Sequence, residues 1–547
     1  MSRVCRWMIA GFALLGATAA PARADLFGKL RQAPTIPNAH VLAAKIDQFI
    51  GQKWQAENVT PAPLADDAEF LRRVYLDLGG RVPSVAEARR FLEDRRADKR
   101  QRLIDELLDS PRYPVHFSRI IRSLWLPEAQ SSIGGLVLTP GFEAWLRKHL
   151  SANTPYDKVV HELITAQVMR GGGREQAIIE ESFLGKPTPI AFFLAKELKA
   201  ENLAASTSRL FLGVKLECAQ CHDHPTAEWK REQFWNLAAF FAGLKGNTRD
   251  EFTFPTADDV NQRDIKIPNT ETVIPAKFVD GRKPQFKDQV GSRVTLAEWL
   301  TAAENPYFAR AAVNRVWSYF FGSGLIDPVD EMVGVEIKAS HPELLDELAR
   351  QFIASGFDTK FLIRAVVNSR AYQLTSAGQL AKGEVPALFA RMPLRGLTGE
   401  QLFDSISQAT GYQEKAPAFP IDFVPGNKPS PRAQFLTRFA NTSEKATEFH
   451  TSILHALALM NGQLINDATS LEKSETLAAV ANSPFLDTAE RIEVLYLATL
   501  SRRPRAEELT RFVRYVENAG TEVARRNRAL ADVFWTLLNG GEFLLNH

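Results

Sequence analysis

The sequence predicts a mainly α-helical protein built of two helical domains joined by a proline-rich linker. Three observations carry this expectation. Apolar residues recur at three- and four-residue spacing along most of the chain, as in Leu103, Ile104, Leu107 and Leu108. The 547 residues are 45% hydrophobic and hold 35 Phe and 9 Trp, enough for large buried cores in more than one domain. Between Lys245 and Ser292 the pattern gives way to Pro255, Pro268, Pro275 and Pro284 among charged residues, which marks the best domain boundary.

Residues 1–24 have the layout of a secretory signal peptide. Arg3 and Arg6 precede an apolar run from Trp7 to Ala20, and Ala22-Arg23-Ala24 is a small-x-small cleavage site. The mature chain then begins near Asp25 and is expected in the periplasm or secreted. The apolar run is too short for a comfortable span, and no later stretch reaches the roughly 20 apolar residues a membrane helix needs, so the protein is not expected to span a membrane. Removing Arg3, Arg6 and Arg23 leaves 63 basic against 64 acidic residues, a net charge of −1 that gives no reason to expect nucleic acid.

Residues 25–65 form an arm with Pro34, Pro37, Pro61 and Pro63 around one helical stretch holding Val41, Ile46, Phe49 and Ile50. Residues 66–244 read as helical. Val159, Val160, Leu163, Ile164 and Val168 make one apolar face, broken by Gly171-Gly172-Gly173. In the linker, 245–290, Thr272-Val273-Ile274 and Lys277-Phe278-Val279 have the composition of short strands. Residues 291–547 return to helix. Ser340-His341-Pro342-Glu343 fits a capping box, Thr398 with Gln401 repeats it, and Gly356 is placed to stop the helix begun at Ser340.

One internal similarity stands out. Tyr75-Leu76 through Arg81, Pro83, Glu87, Arg90 and Phe91 recurs without a gap as Tyr496-Leu497 through Arg502, Pro504, Glu508, Arg511 and Phe512. Both copies read as helix, Arg-x-Pro turn, helix. Helical hairpins in general share this punctuation, and a duplicated unit explains it equally well.

The chemistry-bearing motif is Cys218-Ala219-Gln220-Cys221-His222, which holds the only two cysteines of the mature chain. This is the spacing of c-type haem attachment: two thiols three residues apart reach two vinyl groups of one porphyrin edge, and the adjacent imidazole ligates iron. Cys218 and Cys221 are then thioether positions and His222 the proximal ligand, its other ring nitrogen needing a carbonyl or carboxylate partner. Two alternatives stay open, a redox-active dithiol and a haem-free binding or scaffold protein with a Cys218–Cys221 disulfide. Zinc is disfavoured because Cys218, Cys221, His222 and His224 crowd four ligands into seven residues.

A Met or His at the sixth iron position favours electron transfer, and an open one allows peroxide or oxygen chemistry. His341 and Met460 are the candidates, with Met169 behind them, although each position is also explained by capping or packing. Trp229, Phe234, Trp235, Phe240 and Phe241 follow the motif and suit either a porphyrin wall or a core face. Asp327, Asp330 and Glu331 lack the spacing of a calcium loop. Arg310, Asn314, Arg315 and Trp317 lie close enough in sequence to contact an acidic substrate or sugar. No phosphate loop, nucleophile elbow or zinc-protease motif is present.

Two longer resemblances cover nearly all the mature chain. Arg72-Arg73-Val74-Tyr75-Leu76-Asp77-Leu78, Phe211-Leu212-Gly213-Val214 and Cys218 through Pro225 make residues 66–244 resemble the cytochrome-like domain abundant in planctomycetes, the PSCyt type. Val313-Asn314-Arg315-Val316-Trp317, Gly324 through Asp330, Ser340 through Asp346, Leu397 through Leu402 and Ala458 through Gly462 make residues 291–547 resemble its C-terminal companion, the PSD type. Thr226, where an aromatic often follows His-Pro, and Val335 through Lys338 depart from the pattern. Both domains are of unknown function. The cytochrome label of the family rests largely on the same five residues, so the expectation of covalent haem c, with a periplasmic redox partner or a small-molecule or carbohydrate substrate, stays with the Cys218–His222 motif.

Overall fold

Several helices begin where the sequence supplies an acceptor for free backbone N–H groups. Asn38 caps Ala39–Ala56, Asp66 caps Asp67–Val74, Ser84 caps Val85–Glu93, and Thr398 forms a full capping box with Gln401 at the head of Gly399–Thr410. The computed structural model describes residues 37–130, 133–168, 182, 184–223, 229–249, 252–333, 338–378, 385–414, 430–439, 459–460 and 462–547. Among these, 22 α-helices and three two-stranded sheets give a mainly α fold. Residues Asn38–His547 form one compact unit. The signal segment, Met169, the triple glycine, His224, Thr226 and Val335 through Ile337 lie outside the described residues.

The expected apolar faces are buried. Leu103, Ile104, Leu107 and Leu108 line the inner side of Lys99–Asp109, and Val159, Val160, Leu163 and Ile164 that of Tyr156–Thr165. The helix begun after Ser340 starts one residue later than a Ser340 capping box requires. His341 is its N-cap and Pro342 its first residue, a position where a missing N–H costs nothing. Ser340 Oγ turns away and donates to the Leu325 carbonyl at 3.2 Å. Gly356 (φ 71°) follows the end of this helix as expected.

In the segment 245–290, Val273–Pro275 pairs antiparallel with Asp264–Lys266, and Leu244–Arg249 pairs with Phe252–Asp258. Lys277 through Val279 forms no strand: the chain turns just after Phe278, the Gly281 N–H donating to the Phe278 carbonyl and the Phe278 N–H to Arg282, and the Phe278 ring is stacked between Phe240 (5.4 Å) and Trp299 (4.8 Å). Asp258 pairs with Arg293 at 2.7 Å.

Two buried apolar clusters change over between Met392 and Leu397. Leu76, Val82 and Leu497 break this order, and of these Leu76 and Leu497 occupy equivalent positions of the repeated segment. Leu76 is buried in the second cluster and Leu497 in the first. The repeat extends to details beyond the sequence match. Asp66 and Asp487 each cap a helix through the N–H three residues on, and Gly80 (φ 73°) and Ser501 (φ 60°) each end the first helical stretch in the left-handed region. Arg81 faces Glu87 at 3.5 Å and Arg502 faces Glu508 at 2.7 Å. The two hairpins pack on each other, with Arg503 reaching Glu93 at 3.1 Å.

A buried polar hub ties these layers together. Asp77 is fully buried and accepts from Arg395 Nη2 (2.7 and 2.9 Å), the Tyr372 hydroxyl (2.8 Å) and Asn546 Nδ2 (2.7 Å). Its carbonyl accepts from the Tyr319 hydroxyl at 2.8 Å, and that oxygen lies 2.9 Å from His116 Nε2. Arg73 donates to the Tyr372 and Leu374 carbonyls and pairs with Glu69, while Arg72 donates to Thr499 and Phe543. Such a network is stable only when its members are satisfied together.

Candidate functional site

The cysteine motif is positioned by a short chain of packing constraints. Ala200–Thr207 runs into a wider helical turn, Ser208–Leu212, that stops at Gly213 (φ 65°). The left-handed φ at Gly213 favours glycine, and a Cβ there would also press on the Met332 side chain, 2.6 Å from its Sδ. The chain then enters a 3₁₀ turn, Glu217–Gln220, with Leu216 and Ala219 fully buried beneath it. In a 3₁₀ turn, side chains three apart eclipse one another. With Leu216 and Ala219 pinned inward, Cys218 and Cys221 share the outward face, and both are free thiols exposed to solvent.

The turn is stitched to the next helix, Arg231–Ala238. The Gln220 carbonyl accepts from Trp235 Nε1 at 3.1 Å and Arg231 Nε at 3.3 Å. The Asp223 carboxylate accepts from the Arg231 N–H at 2.9 Å and Lys230 Nζ at 3.0 Å, and these bonds hold it below the usual carboxylate range. His222 is exposed, and its Nδ1 lies 2.7 Å from the Asp223 carbonyl. A carbonyl only accepts, so Nδ1 is the donor in this bond.

The aromatic residues after the motif do not wall the exposed face. Trp229, Phe234, Trp235, Phe240 and Phe241 are all buried in the first cluster, Trp235 bonding the turn through Gln220 and Phe240 stacking on Phe278. His341 is buried elsewhere, beside Phe389 and hydrogen-bonded to Ser340 Oγ at 3.0 Å, and burial pushes its pKa down to about 4. Met460 is exposed, next to Leu459 of the second cluster. No described contact brings either side chain to His222.

A second feature was not legible as a site. A cleft of about 530 Å³ opens beside the motif, lined by Lys215 and Glu217 on its approach and by Arg209, Arg315, Tyr319 and Arg395. Asp330 and Glu331, considered for calcium, instead pair with Arg315 (2.7 Å) and Lys215 (3.0 Å). Among the described residues no group of three or more His, Cys, Asp or Glu side chains is gathered to hold a metal ion. Arg310 pairs with Asp346, Asn314 bonds the Ile326 backbone at 2.8 and 2.9 Å, and Trp317 is fully buried, so only Arg315 of that group faces the cleft.

Comparison with protein families agrees with this anatomy. Residues 45–246 match PSCyt2, a protein of unknown function (DUF1549), and residues 292–430 match PSD1, a protein of unknown function (DUF1553). The chain carries this PSCyt2–PSD1 pair. No curated protein and no solved structure matches it. The PSCyt2 domain supplies Asp77, His116 and the Cys218–His222 turn, and the PSD1 domain supplies Tyr319, Tyr372 and Arg395. The hub therefore joins the two domains, and the cleft lies directly over it, with Tyr319, Arg395 and Asn546 common to both.

Proposed function

We propose that this PSCyt2–PSD1 protein is exported and carries one covalent c-type haem, serving electron transfer or an oxidoreductase reaction. One observation supports the reading above the rest: two free thiols share the outward face of a 3₁₀ turn, and the histidine that follows donates from Nδ1 to the Asp223 carbonyl. Cys218 and Cys221 would hold the haem as thioethers, each S–H adding across one vinyl group, which would need no external oxidant. Nε2 of His222 is the nitrogen left to bind iron, and its Nδ1–H partner is of the kind metal-ligating histidines use to fix ring orientation.

When bound, the haem supplies a one-electron couple whose potential depends on the axial ligands and on burial. The chain itself holds the turn rigid through Trp235 and Arg231 and keeps the thiols accessible to attachment. Export follows from the signal peptide layout of residues 1–24 and matches a compartment where haem attachment occurs. The partner on this reading is a periplasmic redox protein or a small-molecule substrate.

A pyridine haemochrome spectrum of protein produced with haem-attachment machinery tests the proposal. A c-type band that survives denaturation and is lost in Cys218→Ala supports it. Colourless protein whose two thiols titrate freely, or interconvert with a disulfide by a two-hydrogen mass change, overturns it in favour of a dithiol or disulfide protein.

A further inference from the structure

We propose that a second pocket, between the start of the helix Arg112–Trp125 and the helix Gly399–Thr410, binds inorganic phosphate as the monohydrogen dianion. The proposal does not depend on haem at Cys218 and Cys221.

The pocket holds about 440 Å³, and its lining includes Gly80, Arg81, Arg112, His116 and Arg119 from the first domain and Asp404 from the second. The helix Arg112–Trp125 opens into it at Pro111, with no side chain capping its first N–H groups. An uncapped helix start presents partial positive charge, and three guanidinium groups stand around this one.

The carboxylates nearby do not balance them. Arg119 and Arg432 share Asp404, and Arg81 faces Glu87 at 3.5 Å. Glu143 and Glu400, which also act on Arg119, are paired with Arg122, and Glu143 with Arg147 as well. Arg112 is exposed, and among the described residues it makes no hydrogen bond or ion pair. Six arginines thus stand against four carboxylates, an excess of two positive charges. Arg119 bonds Asp404 through Nη1 alone, which leaves Nε and Nη2 for a ligand. Burial and then repulsion from Arg112 lower the Arg81 pKa to about 10, and a bound dianion relieves that repulsion.

His116 selects among anions. It is only 6% exposed, and its Nε2 lies 2.9 Å from the Tyr319 hydroxyl, which itself donates to the Asp77 carbonyl. That hydroxyl has a single hydrogen, so Nε2 is the donor to it. Burial keeps the ring neutral, with its pKa pushed down to about 3, and Nδ1 therefore holds a lone pair. Nδ1 has no hydrogen-bond partner among the described residues and is not closed to solvent. Gly80 leaves it uncovered, since a Cβ at that position would press directly against Nδ1. A basic pocket with one acceptor calls for an anion that brings its own O–H. Monohydrogen phosphate has that O–H and two charges, whereas sulfate has the charges and no donor.

Isothermal titration of the full mature chain, at mildly alkaline pH and fixed low ionic strength, tests phosphate against sulfate. Saturable phosphate binding is expected, with sulfate at least tenfold weaker. Arg112→Gln, at an exposed position, should weaken phosphate tenfold or more. Hydrogen exchange on the unmodified chain gives a readout that does not depend on a variant folding: phosphate should slow exchange in 79–82 and 112–119. Absence of saturable phosphate binding, sulfate binding as tight as phosphate, phosphate binding unchanged in Arg112→Gln, or no protection in either segment overturns the proposal.

Discussion

Asp77 and Arg395 stand 318 residues apart in the chain and meet through one guanidinium nitrogen that bonds both carboxylate oxygens, at 2.7 and 2.9 Å. This pair, with Tyr372 and Asn546 closing the remaining positions on Asp77, is a buried polar link between the PSCyt2 and PSD1 domains. Removing one partner leaves a buried charge without compensation. Asp77→Asn is expected to lower stability by about 3–5 kcal/mol, seen as a large drop in denaturation midpoint. The double variant Asp77→Leu/Arg395→Met should lose less than the sum of the two single variants, and additive losses would show that the two residues do not interact.

The repeated hairpins predict two substitutions of opposite sign. Ser501 holds the left-handed conformation that Gly80 holds in the other copy, and its buried hydroxyl has no partner. Ser501→Gly should raise stability by about 0.5 kcal/mol, since relief of the left-handed strain exceeds the entropy of the added flexibility. Gly80→Ala should cost about 1–3 kcal/mol through overpacking, because the new Cβ would meet His116 Nδ1 at 2.4 Å. Thermal melts of both variants against the parent check the pair.

Stability should fall on mild acidification. Burial pushes His116 down to about 3 and His341 and His547 down to about 4, from 6.5. Below pH 6.5 the unfolded chain takes up protons that these residues refuse in the folded state, so their stability is present above that pH and is lost as pH falls toward 3–4. Each contributes a slope of about 1.4 kcal/mol per pH unit inside its window. Glu69 and Asp404, held low by Arg73 and by Arg119 with Arg432, add a further loss only below their unfolded range near pH 4. His116→Gln should reduce the steepness of melting temperature between pH 6.5 and 4.5. An unchanged slope would mean that His116 titrates within the folded protein.

Trp235→Phe removes the indole bond to the Gln220 carbonyl while keeping the ring buried. A loss near 1 kcal/mol is expected, together with faster hydrogen exchange in 218–223 and a lower yield of haem-loaded protein. Equal exchange rates in that segment would show that the turn is held by its own packing alone.

Much of this was legible in residues. The helices at Lys99–Asp109 and Gly399–Thr410 follow from periodicity and from Thr398 with Gln401, both local signals. The helix start at Pro342 was misplaced by one residue because Pro342 itself, and not Ser340, sets it. Trp235 and its aromatic neighbours were readable as core or as porphyrin wall, and only tertiary packing decides for the core. Asp77 was seen only as one letter of a family motif. Its partners Arg395, Tyr372 and Asn546 are brought to it by long-range folding that no spacing encodes. The cleft is invisible in sequence for the same reason, since Glu217, Arg315, Arg395 and Asn546 come from four separate stretches.

Intact-mass spectrometry of the mature protein, produced with haem-attachment machinery and treated with a thiol-alkylating reagent under denaturing, reducing conditions, bears most directly on the cytochrome proposal. The predicted result is a polypeptide heavier by one haem with neither Cys218 nor Cys221 alkylated. A mass equal to that of the amino acids plus two alkyl groups would contradict it.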